Sequence, residues 1–194
     1  GIDAGLVHAE LAGRDITDAI PNVPAQSIAV RHTVGLGDPI SDADIATADR
    51  LNDGIPQSVE AWIREACVRY FKVKVCANLD IDMPRLVAIA TLLDAALPGA
   101  YHLTLDGNEQ FHNVDELRAW YGALRESGAL RNLLSRVLLL EQPIERSAAL
   151  SDAGTQGLSG ATELPPVIID ESDDNVDAFK EAAALGYRGV SVKD

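Results

Sequence analysis

Amphipathic helices alternating with short apolar strands along 194 residues predict an α/β protein built on a parallel sheet. Three observations carry that reading. Stretches of helical period alternate with apolar runs, most of these runs end in a charged residue, and the charges recur once per strand-plus-helix unit. Parallel neighbours need a crossover, which the intervening helices supply. An open doubly wound sheet and a (β/α)8 barrel both satisfy the pattern. No Gly-x-Gly-x-x-Gly follows a strand and no Walker-type loop is present, so the common nucleotide-binding open sheets lose their main support.

Taken in order, Gly1 to Asp15 reads as the middle of a helix, followed by a Pro-bounded loop at Pro21 to Pro24 and a first strand over 27–34. Ser58 caps a helix with Val59, Trp62, Ile63, Ala66 and Tyr70 on one face, ahead of a strand from Phe71 to Val75. Asp82 caps the next, with Leu86, Ile89, Ala90, Leu93 and Leu97 in register, and Tyr101 to Leu105 follows as a strand. Asn113, with Glu116 three residues on, opens a third helix striped by Val114, Leu117, Trp120, Tyr121 and Leu124. Val137 to Leu140 is the fourth strand. The glycine-containing segment from Arg146 to Leu164 breaks the rhythm and predicts a loop or short helix. Pro165-Pro166 then introduces the strand Val167 to Ile169. Asn175 caps a last helix with Val176, Phe179, Ala182 and Ala183 on one face, Gly186 stops it, and 189–192 is a sixth strand.

Composition narrows the function. Sixteen basic against thirty acidic residues leave a net charge of −14, which repels phosphate backbones and anionic lipid, so neither nucleic acid nor membrane is expected as partner. Cys67 and Cys76 are too few for a disulfide framework and predict reduced thiols in a cytoplasmic protein. Position 1 is Gly, and the chain reads as an internal piece of a longer protein.

The strand ends carry the chemistry. In Phe71-Lys72-Val73-Lys74-Val75, period-two alternation puts both lysines on one face. The next strands end at Asp106, Glu141, Asp170-Glu171 and Lys193, spaced about 32, 35, 29 and 23 residues apart, each roughly one unit. In a parallel barrel these ends share one mouth, where three carboxylates would repel one another and favour a hard cation such as Mg²⁺. Singly, each acid reads as a helix cap or a solvated loop residue, and Lys72 and Lys74 as edge-strand lysines. Together they do not. His32 and Thr33 end the first strand and are candidates for substrate contact; His8, His102 and His112 read as structural or exposed.

In these residues the chain resembles the enolase superfamily, in its muconate lactonizing enzyme-like branch within the mandelate racemase/muconate lactonizing enzyme family. The resemblance rests on Lys72-Val73-Lys74, Asp106-Gly107-Asn108, Glu141-Gln142-Pro143, Asp170-Glu171-Ser172 and Lys193, in that order. It implies a (β/α)8 TIM-type barrel of which this chain holds about six βα units. Residues 1–26 are then a helix and linker entering the barrel and 27–194 are strands 1 to 6, with the capping domain and strands 7 and 8 absent. It further implies that Asp106, Glu141 and Asp170 bind Mg²⁺, that Lys74 and Lys193 are acid/base residues on opposite faces of the substrate with Lys72 supporting Lys74, and that Asn108 and Glu171 stand behind the ligands.

The implied activity is abstraction of the proton α to a carboxylate, through an enediolate, from a small carboxylate substrate. Lysines on both faces point to a racemase or epimerase. The same pair serves a cycloisomerase or a syn-dehydratase, and a catalytically silent barrel for binding or assembly is the rival from another class. The complete protein is expected to be a homo-oligomer.

Overall fold

The computed structural model describes residues 1, 3–6 and 9–192. His8 and Lys193, the latter the expected second acid/base residue, lie outside the described residues.

Five strands form one parallel sheet in sequence order: β1 (Arg31–Val34), β2 (Tyr70–Lys74), β3 (His102–Asp106), β4 (Val137–Glu141) and β5 (Val167–Ile168). Helices α1 (Val59–Ala66), α2 (Leu79–Ala96) and α3 (Val114–Glu126) connect the first four, with the single turn α4 (Arg131–Leu134) before β4. Two four-residue helices, α5 (Arg146–Ala149) and α6 (Asp152–Thr155), lead to β5, and α7 (Ala178–Leu185) follows it. Sequential parallel strands with helical crossovers are the arrangement of a partial (β/α) barrel.

Local chemistry explains where these elements start. The Ser58 hydroxyl accepts from the Ala61 N–H at 3.0 Å, and the Asn113 side chain accepts from the Glu116 N–H at 2.9 Å, each filling an orphan donor of the first turn. Gly186 ends α7 at φ +110°, where its N–H reaches the carbonyls of Ala182 and Ala183.

Alternate strand residues form the core. Val34, Phe71, Val73, Leu103, Leu105, Leu140 and Val167 are buried, as are Leu86, Ile89, Leu93, Leu117, Trp120 and Leu124 from the helices. Arg31, Thr33, Lys72, Lys74, Thr104 and Asp106 alternate with these and face the inner side of the sheet. Thr33, Lys72 and Thr104 make one row across it, and Lys74, Asp106, Glu141 and Ile168 another.

Several sequence expectations change. The described residues near the start form 3-10 turns at Ala4–Leu6, Ala9–Leu11 and Ile16–Ala19 rather than one helix. The first strand begins at Arg31, and Ile28 and Val30 before it are exposed. Tyr70 belongs to β2, not to the face of α1. Asn78, not Asp82, caps α2, accepting from the Asp80 N–H at 3.0 Å. Asp82 is instead buried in the helix, where it accepts from Trp120 Nε1 and from the Cys76 N–H, both at 3.0 Å. In α7 the buried residues are Ala178 and Ala182, whereas Val176 and Phe179 are exposed. The expected sixth strand is a single parallel bridge between Ile169 and Val190.

Candidate active site

The site is built on the carboxyl ends of β2, β3 and β4. Alternation in β2 buries Phe71 and Val73 toward the helices and turns Lys72 and Lys74 inward. One strand over, Asp106 is fully buried, and Glu141 is fully buried at the end of β4. Lys72 Nζ bridges these two carboxylates, 2.6 Å from Glu141 Oε1 and 2.8 Å from Asp106 Oδ2. Lys74 Nζ reaches the same Asp106 oxygen at 2.6 Å.

Charge pairing favours the charged forms of Lys72 and Asp106. Burial opposes the charge on Lys72, but the contacts to Asp106 and Glu141 outweigh it and raise its pKa above the ordinary lysine value. Burial likewise pushes the Asp106 carboxyl up. The two ammonium groups and the Asn108 N–H outweigh that and hold it below the usual carboxylate range.

Sequence reading missed Arg31. Its Nη1 donates to Thr104 Oγ1 at 3.0 Å and stands 3.2 Å from Glu141 Oε2. The signal was present in Arg31-His32-Thr33-Val34, where period two places Arg31 on the same face as Thr33 and the lysines. The same alternation corrects His32. Its ring lies 4.6 Å from that of Trp62 on α1, on the helix side, and burial there lowers its pKa against the opposing effect of Asp38. Thr33 is exposed on the inner face, paired in register with Lys72.

Loops tie the strand ends together. Asn108, at φ +39°, donates its backbone N–H to Asp106 Oδ1 at 3.0 Å and its side-chain amide to Glu171 Oε1 at 2.9 Å. Gly107 permits this approach, because a Cβ there would meet Pro143 Cα at 2.6 Å. Asp170 is buried two residues past the end of β5.

Among the described residues no group of three or more His, Cys, Asp or Glu side chains is gathered closely enough to hold a metal ion. Lys72 Nζ stands between the Asp106 and Glu141 carboxylates, and the expected set of three with Asp170 is not gathered there. The oxygen donors of Asp106 and Glu141 nevertheless suit a hard cation. Asp106 and Glu141 each place an oxygen against one cationic nitrogen, and buried Glu141 Oε2 has no hydrogen bond, only the Arg31 guanidinium nearby. Carboxylate oxygens are the donor set that Mg²⁺ takes.

No family profile and no curated protein matches the sequence. Solved structures do. A mandelate racemase/muconate lactonizing enzyme from Roseiflexus sp. superposes with a TM-score of 0.55 at 20% identity, over 83% of this chain and 38% of its own. An N-succinyl Arg/Lys racemase from Bacillus cereus gives 0.55 at 20% identity, over 84% and 36%. An enolase from Bradyrhizobium, complexed with magnesium and mandelic acid, gives 0.52 at 20% identity, over 82% and 36%. The chain spans little more than a third of the length of these neighbours, and its fold is similar to that part of theirs, a partial (β/α) barrel.

Proposed function

We propose that the chain is part of an Mg²⁺-dependent enzyme that removes the proton α to a carboxylate, acting as a racemase or epimerase on a small carboxylic acid. The observation that carries this reading is the Lys74–Asp106–Lys72–Glu141 array, two lysines and two buried carboxylates within hydrogen-bond distance at adjacent strand ends. Asp106, Glu141 and Asp170 are the residues that would hold the ion. Magnesium held there would supply positive charge to offset that which builds up on the substrate carboxylate. For these carboxylates to take a cation, Lys72 must release at least one of them. Lys74, as the neutral amine, then takes the α-proton and becomes the ammonium, with Asp106 Oδ2 orienting its Nζ, while Lys72 and Arg31 keep the surrounding negative charge balanced. Lys193 is assigned to the opposite face, returning a proton to the planar intermediate; with a base on each side, either enantiomer is accepted. Asn108 and Glu171 keep the two outer loops in register behind the carboxylates.

Cycloisomerisation is the second reading, in which one lysine acts and the other stabilises charge. It is favoured by neighbours that are muconate lactonizing enzymes, such as that from Pseudomonas putida at a TM-score of 0.50. Among the described residues no helix is long and apolar enough to cross a membrane, and both cysteines are free; we assign the protein to the cytoplasm.

The test is α-proton exchange in D₂O with Mg²⁺ across a panel of carboxylic acids, followed by NMR. Deuterium is expected at the α-carbon of at least one acid, and Lys74→Ala should abolish its uptake from one enantiomer. No exchange with any acid, despite saturable Mg²⁺ binding, would favour a silent barrel and overturn the enzyme reading.

A further inference from the structure

The Gln142 side chain is fully buried and joins the end of β4 to the end of the fifth strand. Its Oε1 accepts from the backbone N–H groups of Asp170 at 2.7 Å and Ser172 at 3.1 Å. Its Nε2 donates to the Ile144 carbonyl at 2.7 Å and to the Ser172 hydroxyl oxygen at 2.8 Å. The main chain is engaged too. The Gln142 N–H donates to the Ile168 carbonyl, and its carbonyl accepts from the Glu109 N–H.

The residue holds this position at φ +33°, in the left-handed region that favours glycine. Glycine would relieve the backbone but forfeit all four side-chain bonds. The need for those bonds follows from the sheet. Pairing between β4 and β5 ends at Glu141 and Ile168, so the ladder no longer sets the backbone at Asp170, two residues on. Gln142 takes over where the ladder stops.

We infer that Gln142 is a positioning residue for Asp170: its amide fixes the backbone beyond β5 and thereby sets where the Asp170 carboxylate stands relative to that of Glu141. The inference rests on the reading of Asp170 as a magnesium ligand. A small ion with a strict octahedron tolerates little displacement of a ligand, and partners standing behind metal ligands typically govern affinity by 10- to 100-fold.

Two variants test it, with Mg²⁺ binding measured by isothermal titration and backbone amides by hydrogen exchange. Gln142→Met removes every side-chain bond. It should speed exchange at the Asp170 and Ser172 amides at least about tenfold and weaken Mg²⁺ binding about 10- to 100-fold. Ser172→Ala removes one acceptor of the Gln142 amide nitrogen and leaves Oε1 on both N–H groups; it should hold both readouts within about threefold of the parent protein, and, should the Met variant fail to fold, a loss of Mg²⁺ affinity in Ser172→Ala with amide protection intact would overturn the inference. A purely structural role would instead lower melting temperature in EDTA with no selective loss of Mg²⁺ affinity. Unchanged affinity in a folded Gln142→Met, or equal loss in both variants, would overturn the inference while leaving the metal reading intact. A parent protein that binds no Mg²⁺ would overturn both.

Discussion

The two faces of the sheet are made from the same strands by alternate residues, and they do opposite things. Toward the helices, Val34, Phe71, Val73, Leu103, Leu105 and Leu140 are buried in apolar contact. On the inner side, Arg31, Lys72, Lys74, Asp106 and Glu141 are linked through ion pairs. Apolar burial is non-directional and adds up over area, so the first face holds the fold together. Ion pairs return little net stability after desolvation but fix geometry, so the second face is suited to chemistry. The comparison teaches that stability and reactivity can be separated one residue apart along a strand.

Truncating each face in turn separates their contributions. Phe71→Ala empties a fully buried site on the helix side and should cost about 3–5 kcal/mol in denaturant unfolding. A loss below about 1 kcal/mol there would show that the helix-covered face is not what holds the fold.

Asp106→Asn comes next. It keeps the shape but removes the charge that Lys72, Lys74 and the Asn108 N–H all address, and should cost about 1.5–3 kcal/mol by the same measurement.

A third effect is its pH dependence. The Asp106 carboxyl is depressed below 3.8 in the folded state, so its contribution is present above the unfolded value and fades as pH falls through the folded one. Lys72 is raised above 10.5, so its contribution is present below the unfolded value and fades as pH rises through the folded one. Stability measured against pH should therefore drop at both extremes, and Asp106→Asn should flatten the acid side. An unchanged acid limb would mean that Asp106 gains nothing from its lysines.

Smallest in stability is Lys74→Met. Asp106 retains Lys72 at 2.8 Å, so the expected change is less than about 1 kcal/mol, although α-proton exchange should be lost from one enantiomer. A cost matching that of Phe71→Ala would erase the distinction between the two faces.

Legibility in the sequence followed the range of the interactions. Ser58, Asn113 and Gly186 act on their own helices within four residues, and their caps could be read directly. Asp82 had the look of a cap, yet its partners are Trp120, 38 residues away, and the Cys76 N–H. Asn78 is the cap instead, and α2 carries Pro84 inside it. Arg31 stands at the beginning of the first strand, away from the carboxyl ends, and only its long side chain brings it to Thr104 and Glu141 across the paired strands. The segment before Arg31 was apolar enough to read as strand, but nothing in the described structure pairs with it there, and Ile28 and Val30 stand exposed.

What the sequence by itself determined was the alternation: which residues of a strand turn toward helices, how often a charged strand end recurs, and hence a parallel β/α arrangement. These depend on the two-residue period of a strand and the 3.6-residue period of a helix, which are properties of the local backbone. Which charge meets which was decided only by the tertiary structure. Lys72 bridges Asp106 and Glu141, 34 and 69 residues away in number, because parallel register places those strand ends side by side. Coulomb and hydrogen-bond partners are chosen by distance in space, and the packing of helices against the sheet sets that distance.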